Sequence, residues 1–371
     1  MSRPVSLVVA VDATPLLGQP TGVGASVGGF LTAVGADPSV DVVAYALSAR
    51  GGKALPAVLP ESVRPARPVP LPGSVLLRAW AHVDLPPVEI WTGRVDVVHG
   101  TNFVVPPSRR AARLVTVHDL TPVRFPELCS PTSLRYPPLI RRAIERGASV
   151  HAVSRAMADE VVEHFRIDPA RVHVVPNGLT ALPPPRPRDE REPPYVLALG
   201  TVEPRKGLPD LVAAFDRIAG AAPDLTLRIV GPAGWGEDAL DVARRASRHA
   251  GRIERIGWVD DRSTLLAGAR VLAYPSLYEG FGLPPLEAMS LGVPVVTTTA
   301  GAIPEVVGDA ALLVPPGDVA ALAEALLAAA TDAAVRQRVT AAGATRAARF
   351  SWERAGSQMA DLYRDLVSGG A

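Results

Sequence analysis

Short apolar runs rich in valine recur along the chain, each ending in glycine or polar residues and each followed by a segment of helical character. In the first half they are Ser6–Val11, Val40–Leu47, Val95–His99, Leu114–Val117, Val150–Val153 and Val172–Val175. In the second half they are Tyr195–Leu199, Leu225–Val230, Ile253–Ile256, Val271–Tyr274, Val293–Thr297 and Ala311–Val314. Runs that are apolar throughout belong to strands covered on both faces, and their alternation with helices predicts parallel sheets. The pattern breaks at residues 183–194, where "PPPRPRDEREPP" can enter neither a sheet interior nor a helix. This predicts a stiff exposed linker between two doubly wound units of similar size. A long surface loop within one domain is the alternative. No fixed period repeats, which argues against a solenoid.

The opening "MSRPVSLVVAVDATP" carries an apolar run of seven residues ending at Asp12. That is short for a signal peptide, so it reads as the first buried strand. The alanine-rich run at 319–330, interrupted by Glu324, reads as a surface helix. No stretch approaches the ~20 apolar residues needed to span a bilayer. The tail "FSWERAGSQMADLYRDLV" predicts an amphipathic helix with Trp352, Met359 and Leu362 on its apolar side. The expected division is therefore a first domain over 1–182, a linker over 183–194, a second domain over 195–349, and a final helix over 350–371 that crosses back to the first domain.

Composition sharpens this picture in three ways. A chain of 371 residues exceeds the size at which one core usually keeps growing, and 48% hydrophobic against 20% charged residues argues against disorder. Net charge is +1, from 38 basic and 37 acidic side chains, so no global field attracts nucleic acid and none is expected as a partner. The single cysteine, Cys129, cannot form an intrachain disulfide, which suits the cytoplasm. It reads as a packing residue rather than a catalytic thiol.

In doubly wound domains ligands bind beyond the carboxyl ends of the strands, and two such domains facing across a cleft would hold a ligand between them. Candidate chemistry clusters at such ends. The strand Tyr195–Leu199 runs into "GTVEPRKGLPDLVAAF", where Gly200 permits a sharp turn and Arg205 and Lys206 precede a helix beginning near Leu208. Two cations beside a helix N-terminus suit an anion; an exposed basic turn is the plainer alternative. The order of a phosphate-binding P-loop is absent. The strand Val271–Tyr274 leads into "PSLYEGFGLPPLEAMSLGVPVV", with Glu279 before a glycine turn and Glu287 in the first turn of a helix opened by Pro284 and Pro285 and ended by Gly292. Glu287 alone would be explained by the helix dipole. Glu279 and Glu287 as a pair around Gly280 and Gly282 point instead to a ligand approached closely by backbone.

The segments "GTVEPRKGL" and "PSLYEGFGLPPLEAMSLGVPVVTTTAGAIPEVVGDAALLVPPGD", with the E-x7-E spacing of Glu279 and Glu287, resemble retaining nucleotide-sugar glycosyltransferases of family GT4, closest in motif to bacterial mannosyltransferase-like members. "GWVDD" at 257–261 and "FSWE" at 350–353 extend the resemblance; "TGVG" (21–24), "VHGTNFVVPP" (98–107), "VHDLTPVRFPE" (117–127) and "VVPNG" (174–178) carry it more loosely into the first half. The resemblance implies the GT-B fold, two Rossmann-like α/β domains, and a nucleotide-diphosphate sugar as donor, with GDP-mannose foremost. It implies that Arg205 and Lys206 hold the diphosphate in place of a metal, that Glu279 and the backbone of Gly280, Phe281, Gly282 and Leu283 bind the sugar, and that Glu287 meets the ribose. Val259 would contact the base. Gly200, Gly22 and Gly24 would let backbone approach the donor, with Gly22 and Gly24 in the first loop. His118 would touch the transferred sugar, although a lone histidine is more often structural. Thr201 departs from the family, where an arginine often stands, and Arg205 would take its place.

No Asp-x-Asp motif and no histidine pair at ligand spacing occurs among the seven histidines, and neither metal nor cofactor is expected. The acceptor would be a glycan, a lipid-linked sugar or a small molecule. Arg109, Arg110, Arg113 and Arg141, Arg142, Arg146 read as solvated faces, or as a contact with anionic lipid that would bring the protein to the inner face of the cytoplasmic membrane. Two rivals stand beside this reading: a nucleotide-sugar 2-epimerase of the same fold, and a catalytically silent sugar-nucleotide-binding subunit. Dinucleotide oxidoreduction is disfavoured, because "TGVGASVGG" lacks the third glycine of the dinucleotide fingerprint and the acidic residue that follows it.

Overall fold

The computed structural model describes residues 6–18, 22–48, 51–187 and 191–369. Residues up to Thr180 join those from Phe350 onward in one compact unit, and Ala181–Arg349 forms the other.

The first unit carries a parallel sheet of β1 (Leu7–Asp12), β2 (Val40–Tyr45), β3 (Arg64–Pro65), β4 (Val97–Gly100), β5 (Ala112–Val117), β6 (Ser149–Ala152) and β7 (Val172–Val174), in the order β3-β2-β1-β4-β5-β6-β7. Six of these follow the valine-rich runs within two residues at each end. β3 was not legible. It is two exposed residues long, with a proline, and pairs only with β2, which is how an edge strand tolerates a missing N–H and needs no apolar run. The second unit carries β8 (Tyr195–Leu199), β9 (Thr226–Val230), β10 (Ile253–Ile256), β11 (Val271–Tyr274), β12 (Val295–Thr298) and β13 (Leu312–Val314), all parallel, in the order β10-β9-β8-β11-β12-β13. In each sheet the order reverses once along the chain: between β1 and β4, and between β8 and β11. Crevices at such reversals are the ligand sites of open parallel sheets.

Helices cover these sheets. In the second unit the helix Leu208–Ile218 places Leu211 and Phe215, both fully buried, against Leu326 of the helix Val319–Thr331 and against Val196 and Leu227 of the sheet. Burying a side chain of this size contributes about 1.5–3 kcal/mol. The alanine-rich run is therefore half core: small residues let its helix lie close to the sheet, and Leu322, Ala323, Leu326, Ala329 and Ala330 are buried.

The tail forms the helix Trp352–Ser368, started by Ser351, whose side chain accepts from the Arg354 N–H. Met359 and Tyr363, both fully buried, pack with Val9, Val11 and Leu31 in the core of the first unit. Trp352 enters where only glycine leaves room. A Cβ on Gly29 would lie 2.1 Å from its indole, and one on Gly178 would lie 2.5 Å from its backbone nitrogen. The indole N–H donates to the Thr180 hydroxyl at 2.9 Å.

The described part of the proline-rich segment is mostly exposed, yet it is fastened to the second unit. Arg186 N–H donates to the Thr264 hydroxyl at 2.8 Å, Ser263 donates to the Pro183 carbonyl, and Arg186 pairs with Asp261 at 3.3 Å. Residues 188–190 of that segment lie outside the described residues. So do Thr21 of "TGVG" and the first five residues of the N-terminal stretch. Among the described residues, no helix is long and apolar enough to cross a membrane.

Candidate active site

β8 ends at Leu199, and the chain turns at Gly200 with φ of 140°, a conformation open to glycine. Its N–H donates to the Val230 carbonyl at the end of β9, 3.0 Å away. A short turn, Pro204–Lys206, then presents both cations and is closed by Gly207. A Cβ on Gly207 would lie 2.3 Å from the Pro275 carbonyl, and the Leu277 N–H donates to the Arg205 carbonyl at 2.7 Å. The loop after β8 is thus locked by backbone to the loop after β11, across the reversal of strand order.

This contact brings together groups 73 residues apart in sequence. Glu279 Oε1 accepts from Lys206 Nζ at 2.6 Å and lies 2.9 Å from Arg205 Nη1. Arg205 also pairs through Nε with Glu203 Oε2 at 2.8 Å and donates to the Tyr278 carbonyl at 3.3 Å. Lys206 donates to the Tyr274 hydroxyl at 2.9 Å, and its ammonium lies 4.8 Å from the centre of that ring. Glu279 is only 7% exposed. Burial alone would raise its carboxyl, but Arg205 and Lys206 outweigh burial and bring the pKa down to about 2. The Lys206 ammonium is pushed down, by burial first and then by Arg205, against the opposing pull of Glu279. These two shifts assess one pair differently, favouring the charged carboxylate and disfavouring the charged ammonium. The asymmetry follows from contacts, since Glu279 touches two cations while Lys206 has a guanidinium beside it. The cluster is a set of charges that hold one another in place.

Past Glu279, Gly282 has φ of 109° and precedes the helix Leu283–Ser290. The backbone conformation calls for glycine, and a Cβ there would also press on Ile303 Cδ1 at 2.7 Å. Glu287 is the fifth residue of this helix rather than part of its first turn, which removes the helix dipole as its explanation. It is buried, and Oε1 accepts from Arg262 at 2.8 Å. Its Oε2 is buried with no hydrogen-bond partner. Burial pushes this carboxyl up, and Arg262 opposes it. Val259 is half-buried in the loop between β10 and the helix Arg262–Ala267, on the same unit.

In the first unit, Gly22 and Gly24 lie in the opening turn of the helix Gly22–Gly35 rather than in a loop, because packing of Val27, Phe30 and Leu31 into the core outweighs the low helix propensity of glycine. His118 follows β5, half-buried, and its Nε2–H donates to the Thr101 carbonyl at 2.8 Å. Burial lowers its pKa, so the imidazole is neutral at pH 7 with Nδ1 as its lone-pair nitrogen. A cavity of ≈ 20 Å³ lies beside it, lined among others by Ser26, His99, His151, Asn177 and Trp352. Behind it runs a buried chain of fixed polarity. His151 Nε2–H donates to the Val175 carbonyl (2.8 Å), so the Thr116 hydroxyl donates to His151 Nδ1 (2.9 Å). Thr116 then accepts from His99 Nε2–H (2.7 Å), and His99 Nδ1 accepts from Tyr363 (2.7 Å). Burial holds both imidazoles neutral, His99 well below its usual range and His151 at about 4.

Of the residues singled out from sequence, the second unit gathers Arg205, Lys206 and Glu279 into one cluster, and Glu287 stands one helix further on. Glu203, Tyr274 and Arg262 were missed. Glu203 sits two residues before Arg205 in the quoted motif, a spacing that carried the signal for their pairing. Tyr274 and Arg262 left no such signal, because their partners are distant in sequence.

Comparison with known proteins identifies the family. Residues 31–181 match a family model described as Glycosyltransferase Family 4, and residues 193–332 match one described as Glycosyl transferases group 1. The chain is 33% identical over 285 residues to O-antigen chain mannosyltransferase B of Escherichia coli, covering 73% of this chain and 74% of that protein. Among solved structures, sucrose-phosphate synthase from Thermosynechococcus elongatus superposes with a TM-score of 0.71 at 21% identity, over 98% of this chain and 100% of that one. The Anabaena protein HepE, in complex with UDP and glucose, gives 0.71 at 20% identity, over 97% and 100%. The chain is therefore a glycosyltransferase of family GT4, with the GT-B fold.

Proposed function

We propose that this enzyme is a retaining, metal-independent hexosyltransferase. It takes mannose from GDP-mannose and passes it to a glycan, lipid-linked or small-molecule acceptor. The observation that carries the reading is the Glu279 carboxylate held between Arg205 and Lys206 where strand order reverses. Breaking a sugar–phosphate bond leaves negative charge on the departing diphosphate and positive charge on the sugar ring. Arg205 and Lys206 stabilise the first, and Glu279 balances and orients the second. Because Glu279 already holds both cations in place, little reorganisation is needed when the diphosphate forms. On this reading the two cations take the place of a divalent metal at the diphosphate. Mannose as the sugar is supported by the name of the Escherichia coli relative. His118, neutral and with Nδ1 as acceptor, suits a sugar hydroxyl, and Glu287 suits the ribose.

A peripheral contact with an anionic membrane rests mainly on Arg109 and Arg110, which are exposed. Arg142 and Arg146 pair with Asp84 at 3.0 and 3.2 Å, so part of their charge is already engaged. Liposome sedimentation with and without anionic lipid tests this part.

Thermal-shift titration against GDP, UDP, GDP-mannose and UDP-glucose tests the donor class. A ligand at 100 times its Kd stabilises by about 2.7 kcal/mol, so a bound donor is easily seen. The reading expects the largest shift from the guanine nucleotides, and none of the four raising Tm would contradict it.

A further inference from the structure

Glu287 combines two features that rarely coexist without a reason. Its side chain is 8% exposed, and one of its two oxygens, Oε2, has no hydrogen-bond partner. A buried carboxylate with an open oxygen costs about 1–3 kcal/mol or more, and buried polar groups are otherwise almost always satisfied. The other oxygen is taken by Arg262, 25 residues away in sequence, at 2.8 Å. Burial pushes the Glu287 carboxyl toward its neutral form, and Arg262 is the charge opposing that push.

Arg262 stands on a turn that is fixed on both sides. It is the first residue of the helix Arg262–Ala267, whose cap Asp261 accepts from the Thr264 N–H at 3.0 Å. The residue after it, Ser263, is buried and donates to the Pro183 carbonyl, while Thr264 accepts from the Arg186 N–H. Its neighbours Asp261, Ser263 and Thr264 are therefore pinned, all three by contacts with the proline-rich segment that enters this unit. Glu287 is set just as firmly, between the buried Leu286 and Ala288. With both backbones held, the guanidinium engages one oxygen of the carboxylate and leaves Oε2 open.

We propose that Arg262 is the positioning residue for Glu287, holding Oε1 so that Oε2 is presented to the hydroxyls of a nucleoside ribose. The inference rests on the donor reading given above for Glu287 and adds the group that makes this role workable. Arg262 itself does not touch the donor in this account. The proline-rich segment thereby acquires a part in nucleoside binding, through the turn that it holds.

Calorimetric titration of GDP, UDP and inorganic diphosphate separates the alternatives. Arg262→Gln, Arg262→Lys and Glu287→Gln are compared with the unaltered enzyme, with Tm measured for each. Arg262 is 41% exposed, so both of its variants should fold. Arg262→Gln should weaken the tighter of GDP and UDP about tenfold, equivalent to about 1.4 kcal/mol, and leave diphosphate unchanged. Arg262→Lys, which can still place a cation on Oε1, should recover most of the loss. Native nucleotide affinity in Arg262→Gln, together with a clear loss in Glu287→Gln, would overturn the positioning role while leaving Glu287 on the ribose. Native affinity in Glu287→Gln would overturn the ribose reading itself, and this inference with it. Equal losses for nucleotide and inorganic diphosphate would assign Arg262 to general folding of the unit.

Discussion

Lys206 Nζ lies 2.6 Å from Glu279 Oε1, the same oxygen that Arg205 approaches to 2.9 Å. One carboxylate oxygen therefore holds two cations that would otherwise repel each other. Removing any of the three leaves a charge uncompensated in a buried place. Lys206→Met or Arg205→Gln should lower kcat/KM by an amount equivalent to about 2–4 kcal/mol, as for other preorganised charge stabilisers. Glu279→Gln should lower kcat more than it raises KM, because its contribution grows as the sugar ring becomes cationic. Steady-state kinetics on the three variants is the check. A near-native kcat for Glu279→Gln would remove it from the chemistry.

The same pairing sets an acid limit on stability. The Glu279 carboxyl lies at about 2 in the folded protein against an ordinary 4.5, so the unfolded chain takes up the proton first as pH falls. Stability from this group is complete above pH 4.5 and is lost progressively toward pH 2, on the order of 3 kcal/mol in all. Thermal unfolding measured from pH 6 to pH 3 should show this decline. Glu279→Gln should flatten it, and an unchanged slope in that variant would mean the loss comes from elsewhere.

Much of this was legible from sequence because parallel strands buried on both faces must be apolar throughout. Runs such as Val271–Tyr274 and Tyr195–Leu199 consequently announced their own ends. Residues that work at those ends, Arg205 and Glu279, stood out as charges beside glycine in apolar text. What stayed hidden depended on pairs distant in the chain: Arg262 on Glu287, Tyr274 on Lys206, and the chain Tyr363–His99–Thr116–His151. β3 was hidden for the opposite reason, since an exposed edge strand of Arg64 and Pro65 carries no apolar signal. The place of Glu287 was misjudged by a single turn, because the helix begins at Leu283, ahead of its two prolines.

Gly282 should not tolerate a side chain. With φ of 109°, Gly282→Ala strains the loop that carries Glu279, while the Ile303 Cδ1 methyl, 2.7 Å from a Cβ there, has to shift aside. A cost of about 1–3 kcal/mol in stability is expected from the backbone conformation alone. Donor affinity should fall as well. Gly292→Ala provides a control, since it has φ of 70° but open space around it, so its effect should be confined to stability.

Tyr363→Phe should destabilise the first unit by about 1 kcal/mol, since His99 Nδ1 would lose its donor in a buried place. Met359→Ala, which empties a fully buried position in the same helix, should cost about 2–5 kcal/mol. Chemical denaturation would measure both. Nucleotide affinity should be unchanged in each, because these residues belong to the unit that does not hold Arg205, Lys206 and Glu279.

The most direct measurement is proton NMR of GDP-mannose turnover in excess EDTA, followed from the first minutes, before mutarotation scrambles the released sugar. The account predicts release of GDP with the α-anomer of mannose appearing first, at a rate that EDTA does not change and that Lys206→Met lowers steeply. Appearance of the β-anomer first would contradict retention. Arrest by EDTA that magnesium or manganese reverses would contradict the assignment of the diphosphate charge to Arg205 and Lys206.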